Sequence, residues 1–305
     1  MGPGRSRVWA ALLTVYVVWG STYLANHYAL QVFPPFLMAS SRFVAAGSVL
    51  LAVGWTLARR AGDAPPSRRQ WGSVVVLGFT LFAVGNGAVA WAQQRLTSGV
   101  ASLVVCTVPL WMALFDRIVY RRRLSALTIT GVVAGFAGAA LLAAPGGADQ
   151  VDALGVLVLV AGSAAWAVGS LWSRRAPLPR QPFLGMGLQM LVGAGFLALA
   201  AAASGDAGQV HDVTALSVGG IAYLVVIGSL VGFTLYAWLL RTAPTPLVST
   251  YAFANPVVAV LLGWGVEHER LGLRTVGAAV LIIAAVGLIV LAQARESRAA
   301  ATLGS

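Results

Sequence analysis

Residues 35–54 read PFLMASSRFVAAGSVLLAVG, and residues 182–201 read PFLGMGLQMLVGAGFLALAA. Both open on Pro-Phe-Leu, both continue as apolar runs, and they start 147 positions apart. The same shift carries Trp19 onto Trp166, Gly85 onto Gly232 and Ala90-Trp91 onto Ala237-Trp238. It also carries Ser102 onto Ser249, Pro109 onto Pro256, Arg123-Leu124 onto Arg270-Leu271 and Thr128 onto Thr275. Alanine, leucine and valine coincide readily in any two apolar sequences. Two tryptophan and two proline coincidences in one ungapped register do not. The chain reads as one unit written twice, over 1–147 and 148–305.

Working outward from that pair, apolar runs of helix length recur along the whole chain, separated by short breaks of Arg, Asp, Pro and Gly. Of the 305 residues, 59% are hydrophobic and 10% are charged, where a soluble domain carries about 25% charge. So little charge cannot cover a water-facing surface, so the main solvent is expected to be the lipid bilayer. The runs place helices at 8–29, 35–58, 71–93, 98–118, 125–144, 153–173, 182–203, 215–240, 246–266 and 272–293. They are too long and continuous for barrel strands. In lipid the alternative that satisfies every backbone group is the helix. The expected fold is therefore all-α and polytopic, with ten transmembrane helices as two five-helix repeats. An odd number of helices per repeat sends the second copy into the membrane upside down. Such inverted repeats recur in secondary transporters, where they give two near-equivalent packings, open to either side.

The formal net charge of +11 comes from arginine, for the chain has no lysine. With the N-terminus placed inside, one set of loops collects Arg5, Arg7, Arg59, Arg60, Arg68, Arg69, Arg117, Arg121 to Arg123, Arg174, Arg175, Arg180, Arg241, Arg295 and Arg298. The other side has Arg95, Arg270 and Arg274, with Asp149, Asp152, Asp206, Asp212, Glu267 and Glu269. The basic charge is thus a topology signal that puts both termini in the cytoplasm. No basic face with interleaved aromatics exists, so a nucleic-acid partner is not expected. Arg5 and Arg7 before an apolar run resemble a signal peptide, but the run from Val8 to about Leu30 is long enough to span and is read as a retained helix. The single Cys106 excludes an intramolecular disulfide.

Several stretches together carry a family likeness: WGSTY at 19–23, PPFLMASSRF at 34–43, VGNGAVAWAQQ at 84–94, TVPLW at 107–111, GSAAWAVGS at 162–170 and NPVVAVLLG at 255–263. They resemble the EamA group of the drug/metabolite transporter superfamily, and within it the YedA-like inner-membrane exporters. The resemblance spans essentially the whole chain. It implies a ten-helix carrier in the bacterial inner membrane, with helices 5 and 10 peripheral, a central cavity between the others, and small metabolites such as amino acids as substrates. The chain departs from the family where it has Gln93 in place of an acid and SSRF in place of GIRF. The first departure argues against a proton relay at that position.

The polar residues within the spans are the candidate substrate-binding set. Trp19, Tyr23 and Asn26 recur at helical spacing on helix 1 with Tyr16, as a cavity face or as interfacial anchors. His27 reads as a solvated rim residue. Asn86 and Gln93 share a face of helix 3; the nearby Gly85-x-Gly87 is no nucleotide fingerprint, since no strand precedes it. Ser98 and Ser102 on helix 4 map onto Thr245 and Ser249, and serve either close packing or the cavity wall. Trp166 is the repeat mate of Trp19. Tyr236 on helix 8 beside Trp238, and Tyr251 with Asn255 on helix 9, complete the expected lining. Pro256 should free a backbone carbonyl for an Asn or Ser side chain or a ligand. Gly131-x-x-x-Gly135 on helix 5 reads as close packing, within the chain or between the two copies of a homodimer.

Arg42 is the one basic residue deep in a span, about 10 Å below the Pro35 edge at 1.5 Å per residue. It could snorkel to the headgroups, lock the outer gate through carbonyls, or face an aqueous cavity. Its repeat mate, Gln189, is also polar, which favours the cavity. A guanidinium there attracts a carboxylate, and aromatic walls take an apolar side chain or an ammonium. No metal-ligand spacing and no mid-span carboxylate pair is present, so no cofactor or metal is expected. The reading is a transporter that exports amino acids or related small amphiphiles. The alternatives are a multidrug exporter, a membrane-embedded enzyme and a non-transporting sensor.

Overall fold

The computed structural model describes residues 5–120, 125–144, 151–210, 212–243, 245–248, 250–268 and 272–303. Arg121 to Arg123, Leu124, Asp149, Ser249, Glu269, Arg270 and Leu271 lie outside the described residues. Among the described residues all regular structure is helical. We label the elements α1 (Arg5–Leu30), α2 (Pro35–Arg60), α3 (Arg68–Ala92), α4 (98–120), α5 (Ala126–Ala143), α6 (Ala153–Ser173), α7 (Pro182–Ser204), α8 (215–242), α9 (245–266) and α10 (Leu273–Leu303). Eight of them are long and apolar enough to cross a membrane; within α5 and α9 the apolar stretches Ala126–Leu142 and Ala254–Val266 are shorter.

The helix starts follow local chemistry. Pro35 and Pro182 stand in the first turns of α2 and α7, where a missing N–H costs nothing. Ser67 and Gln70 form a capping box that opens α3, and Thr214 and Ser217 another that opens α8. Asp152 Oδ1 accepts from Gly155 N at 2.6 Å to open α6. Gly205, with φ +74°, takes the left-handed turn that stops α7.

Four of the ten expected helices are not continuous α-helix. Within α3, Gly78–Asn86 is π-helical, and within α8 so is Leu224–Val231. Shifted by 147, the first segment falls on 225–233, which overlaps the second. α4 breaks between Val105 and Val108, because Pro109 has no N–H for Val105 O and disfavours helical geometry at the residue before it. α9 is split into Thr245–Val248 and Tyr251–Val266, and Pro256 lies inside its second part. The carbonyl that Pro256 leaves unpaired is Ala252 O, and the Cys106 thiol from the α4 break donates to it. The expected Asn or Ser partner is therefore replaced by the cysteine.

Helices pair closely where glycine removes a side chain. A Cβ at Gly187 of α7 would lie 2.5 Å from Leu51 N of α2, so that contact is backbone on backbone. α5 lies along α10 in the same way: a Cβ at Gly131 would come within 2.8 Å of Ala285 O. The Gly131-x-x-x-Gly135 face is thus filled by the chain's own last helix and is not open to a second copy. The outer surface is apolar: Leu13, Leu157, Leu199 and Val133 are all more than half exposed, as lipid-facing residues must be.

Polar links tie the two ends. At one end Arg180 pairs with Asp63 at 3.5 Å and Gln70 Nε2 donates to Leu178 O at 2.9 Å. At the ends of α1 and α9, Tyr28 OH donates to Glu267 and His27 lies 3.4 Å from the same carboxylate, a rim position as expected. Arg274 caps the C-terminal carbonyls of α5, donating to Leu141 O at 2.6 Å and Leu142 O at 2.7 Å.

Candidate functional site

Between the helices lies a cavity of about 120 Å³. α1 gives it Trp19, Thr22, Tyr23 and Asn26, and α2 gives Arg42. The π turn of α3 and the turn after it give Gly85, Asn86 and Val89. The broken stretch of α4 gives Ser102, Val105, Cys106 and Val108. α6 gives Leu159, Gly162, Ser163 and Trp166; α8 gives Phe233; α9 gives Tyr251, Ala252 and Asn255. Among the described lining residues none comes from α5, α7 or α10, where the family likeness implied that only helices 5 and 10 stand apart from the cavity.

The irregular turns shape this wall. A π turn carries an extra residue and commonly marks a functional site. Asn86 Nδ2 donates to Leu81 O at 3.0 Å across the α3 π segment. On α8 the π segment presents Gly228 O to Trp19 Nε1 at 3.3 Å and Ser229 Oγ to Arg42 Nε at 2.9 Å. Trp19 is further held by Phe233 and Tyr251, with ring centroids 5.4 and 5.1 Å away.

Arg42 is 7% exposed and does not snorkel. Its guanidinium carbon lies 5.0 Å from the Phe43 ring centroid, and among the described residues no carboxylate is within ion-pair distance. Ser229 takes one of its donors, which leaves the two terminal nitrogens as the strongest donors at the cavity wall.

Nine of the thirteen sequence candidates line the cavity: Trp19, Tyr23, Asn26, Arg42, Asn86, Ser102, Trp166, Tyr251 and Asn255. Four do not. Gln93 sits behind Asn26, its amide held between Asn26 Nδ2 at 2.7 Å and Tyr23 O at 2.9 Å. Ser98 Oγ points at the same Tyr23 carbonyl, 3.4 Å away. Tyr236 backs Trp19 and Tyr251, with ring centroids 4.9 and 5.5 Å distant. Gln189 is buried on α7, which packs on α2 and α3 and reaches no part of the cavity, so the repeat mate of Arg42 is not a second wall residue. Sequence reasoning missed Thr22, Ser163, Phe233 and the role of Cys106. Ser163 had a readable signal, since it precedes Trp166 by three residues and shares its helix face.

A helical bundle with lipid-exposed flanks, broken helices and a buried polar–aromatic cavity has the build of a membrane carrier. The EamA-like transporter family model matches residues 7–144 and again 153–291, and the chain belongs to that family. It is 36% identical over 269 residues to the uncharacterized inner membrane transporter YedA of Escherichia coli K12, covering 87% of this chain and 84% of that one. It is 21% identical to the uncharacterized transporter YvbV of Bacillus subtilis, covering 93% and 92% of the two chains. A solved crystal structure at 23% identity superposes with a TM-score of 0.64, covering 94% of this chain and 99% of that one, and so shares the fold.

Proposed function

We propose that the chain is a ten-span secondary transporter of the bacterial inner membrane, with both termini cytoplasmic, that exports amino acids or related small amphiphilic metabolites. Its two halves, 1–147 and 148–305, are inverted repeats that rock about the central cavity. The double family match supports the repeat. So do the overlapping π segments, and the packing of α2 on α7 and of α5 on α10, each helix against its mate under the 147-residue shift. The membrane assignment is supported by the name and identity of YedA.

The observation that carries the substrate reading is Arg42. It is the one charged side chain among the described lining residues, and it shares the cavity with Trp19, Trp166, Tyr251 and Phe233. The guanidinium fits a carboxylate and the rings fit an apolar side chain. Alternating access follows if closing one end of the bundle opens the other around this fixed site. Gln93 is neutral and bound on both sides, so no proton passes through it. The test is uptake of labelled amino acids into proteoliposomes, with and without an imposed pH gradient. Saturable uptake above protein-free vesicles is expected. No uptake of any amino acid, with intact folded protein, refutes the reading.

A further inference from the structure

Four buried side-chain polar atoms among the described residues have no hydrogen-bond partner, and three of them, Asn26 Oδ1, Ser163 Oγ and Asn255 Oδ1, belong to residues that line the cavity. A buried acceptor without a donor costs free energy, so a cluster of them at one cavity needs a reason. Asn26 itself is 4% exposed.

The polarity of Asn26 follows from bonding logic. Tyr23 O is a carbonyl and can only accept, so the Gln93 amide must turn its nitrogen toward it, at 2.9 Å. Gln93 Oε1 then faces Asn26 and requires a donor, which is Asn26 Nδ2 at 2.7 Å. Asn26 Oδ1 is left as the unpaired atom of a residue that lines the cavity, and flipping either amide would set two like groups against each other. Asn86 is fixed in the same sense, because Nδ2 is committed to Leu81 O at 3.0 Å. Asn26 and Asn86 are therefore fixed with their nitrogens committed and their oxygens free, while Arg42 presents donors.

The two kinds of group are near one another. A Cβ built at Gly228 would lie 2.9 Å from Thr22 Cγ2 and 3.3 Å from Arg42 Nη2, so the guanidinium head lies beside Thr22. Asn26 follows Thr22 by one turn of α1, a rise of about 6 Å.

We infer that Asn26 Oδ1, with Ser163 Oγ and Asn255 Oδ1, forms an acceptor subsite for the ammonium group of the substrate, about one helical turn from the guanidinium that takes its carboxylate. Gln93 is the positioning residue that holds Asn26 in the accepting orientation. The substrate class is then a primary ammonium compound. Keto and simple carboxylic acids of the same shape bind less well, because no donor reaches these oxygens, and a hydroxy acid brings one neutral donor in place of a charged one. The inference rests on the cavity being the substrate site, but not on the role of Arg42.

The test measures binding by thermal shift and tryptophan fluorescence on the full chain in detergent, with three probes chosen for the aromatic walls: L-phenylalanine, 3-phenylpropionate and 2-phenylethylamine. A hydrogen bond to a charged group makes the expected gap between phenylalanine and phenylpropionate about 10- to 100-fold in the unaltered protein. Asn26→Leu should close that gap to within about threefold and weaken phenylethylamine, while leaving phenylpropionate unchanged. Gln93→Met, which frees the Asn26 amide to turn, should narrow the gap in the same direction. A merely structural role for Gln93 would weaken all three probes alike. Equal affinity for phenylalanine and phenylpropionate in the unaltered protein overturns the inference and needs no variant. So does a gap that survives Asn26→Leu. Phenylethylamine binding that depends on Asn26, beside phenylpropionate binding indifferent to Arg42→Ala, would support the inference and refute the carboxylate role. Failure of all three probes to bind would overturn both.

Discussion

Arg42→Ala separates two roles that a buried guanidinium can play. In the structure the side chain spends Nε on Ser229 and has no carboxylate partner among the described residues. Burying a charge without a counter-charge is costly, so its removal should not destabilise the fold much. The variant loses one hydrogen bond to Ser229 and the contact with the Phe43 ring. Against these stands the desolvation penalty that the variant no longer carries. The expected change in melting temperature is therefore only a few degrees. Substrate binding is a different matter. Each charge-assisted hydrogen bond contributes about 1.5–3 kcal/mol, so a two-pronged carboxylate contact is worth at least about 3 kcal/mol, or about two orders of magnitude in affinity. Arg42→Lys keeps the charge, loses the planar fork and should fall between. The assay compares L-phenylalanine with L-phenylalaninamide by thermal shift in the native protein and both variants. The amide should bind the native protein poorly and should barely distinguish it from Arg42→Ala. Equal losses for acid and amide, together with a large fall in melting temperature, would refute carboxylate binding and mark Arg42 as a lock between α2 and α8.

Cys106→Val should destabilise the protein by about 1–2 kcal/mol, because Ala252 O loses its donor, and Cys106→Ser should restore most of it; thermal melts of the pair decide. Gly187→Ala should cost about 1–3 kcal/mol, since its Cβ would sit 2.5 Å from Leu51 N and must push α7 off α2; an unchanged melting temperature would show that this contact is looser than described. A reporter fused after Ser305 should read cytoplasmic, from the arginine asymmetry of alternate loops; a periplasmic signal would overturn the proposed orientation.

The helix positions were legible because hydrophobic length in lipid is a coarse and repetitive signal. The expected start of α2 at 35 and of α7 at 182 coincide with Pro35 and Pro182 in the structure. Breaks inside the helices were less legible. Pro109 and Pro256 were visible as prolines, yet nothing local says that one breaks α4 before Val108 while the other stays inside α9. The difference is tertiary: the thiol of Cys106, 146 residues before Ala252, reaches the carbonyl that Pro256 frees. The π segments were likewise hidden, since their apolar composition matches that of the α-helix around them.

At the site, helical periodicity on α1 identified Trp19, Tyr23 and Asn26 as one face, and that face lines the cavity. The 147-residue shift worked for Trp19 and Trp166, which both line the cavity, and failed for Arg42 and Gln189. Positions matched by the 147-residue shift need not share surroundings, because each half packs its own side chains. The same asymmetry bears on the acceptor subsite. Shifted by 147, Gln93 falls on Leu240 and Asn26 on Ser173, so the second repeat has no equivalent of the Asn26–Gln93 pair. Among the described residues the two amides that end on a main-chain carbonyl lie in the first half, so on the proposed reading one half alone orients what the cavity binds.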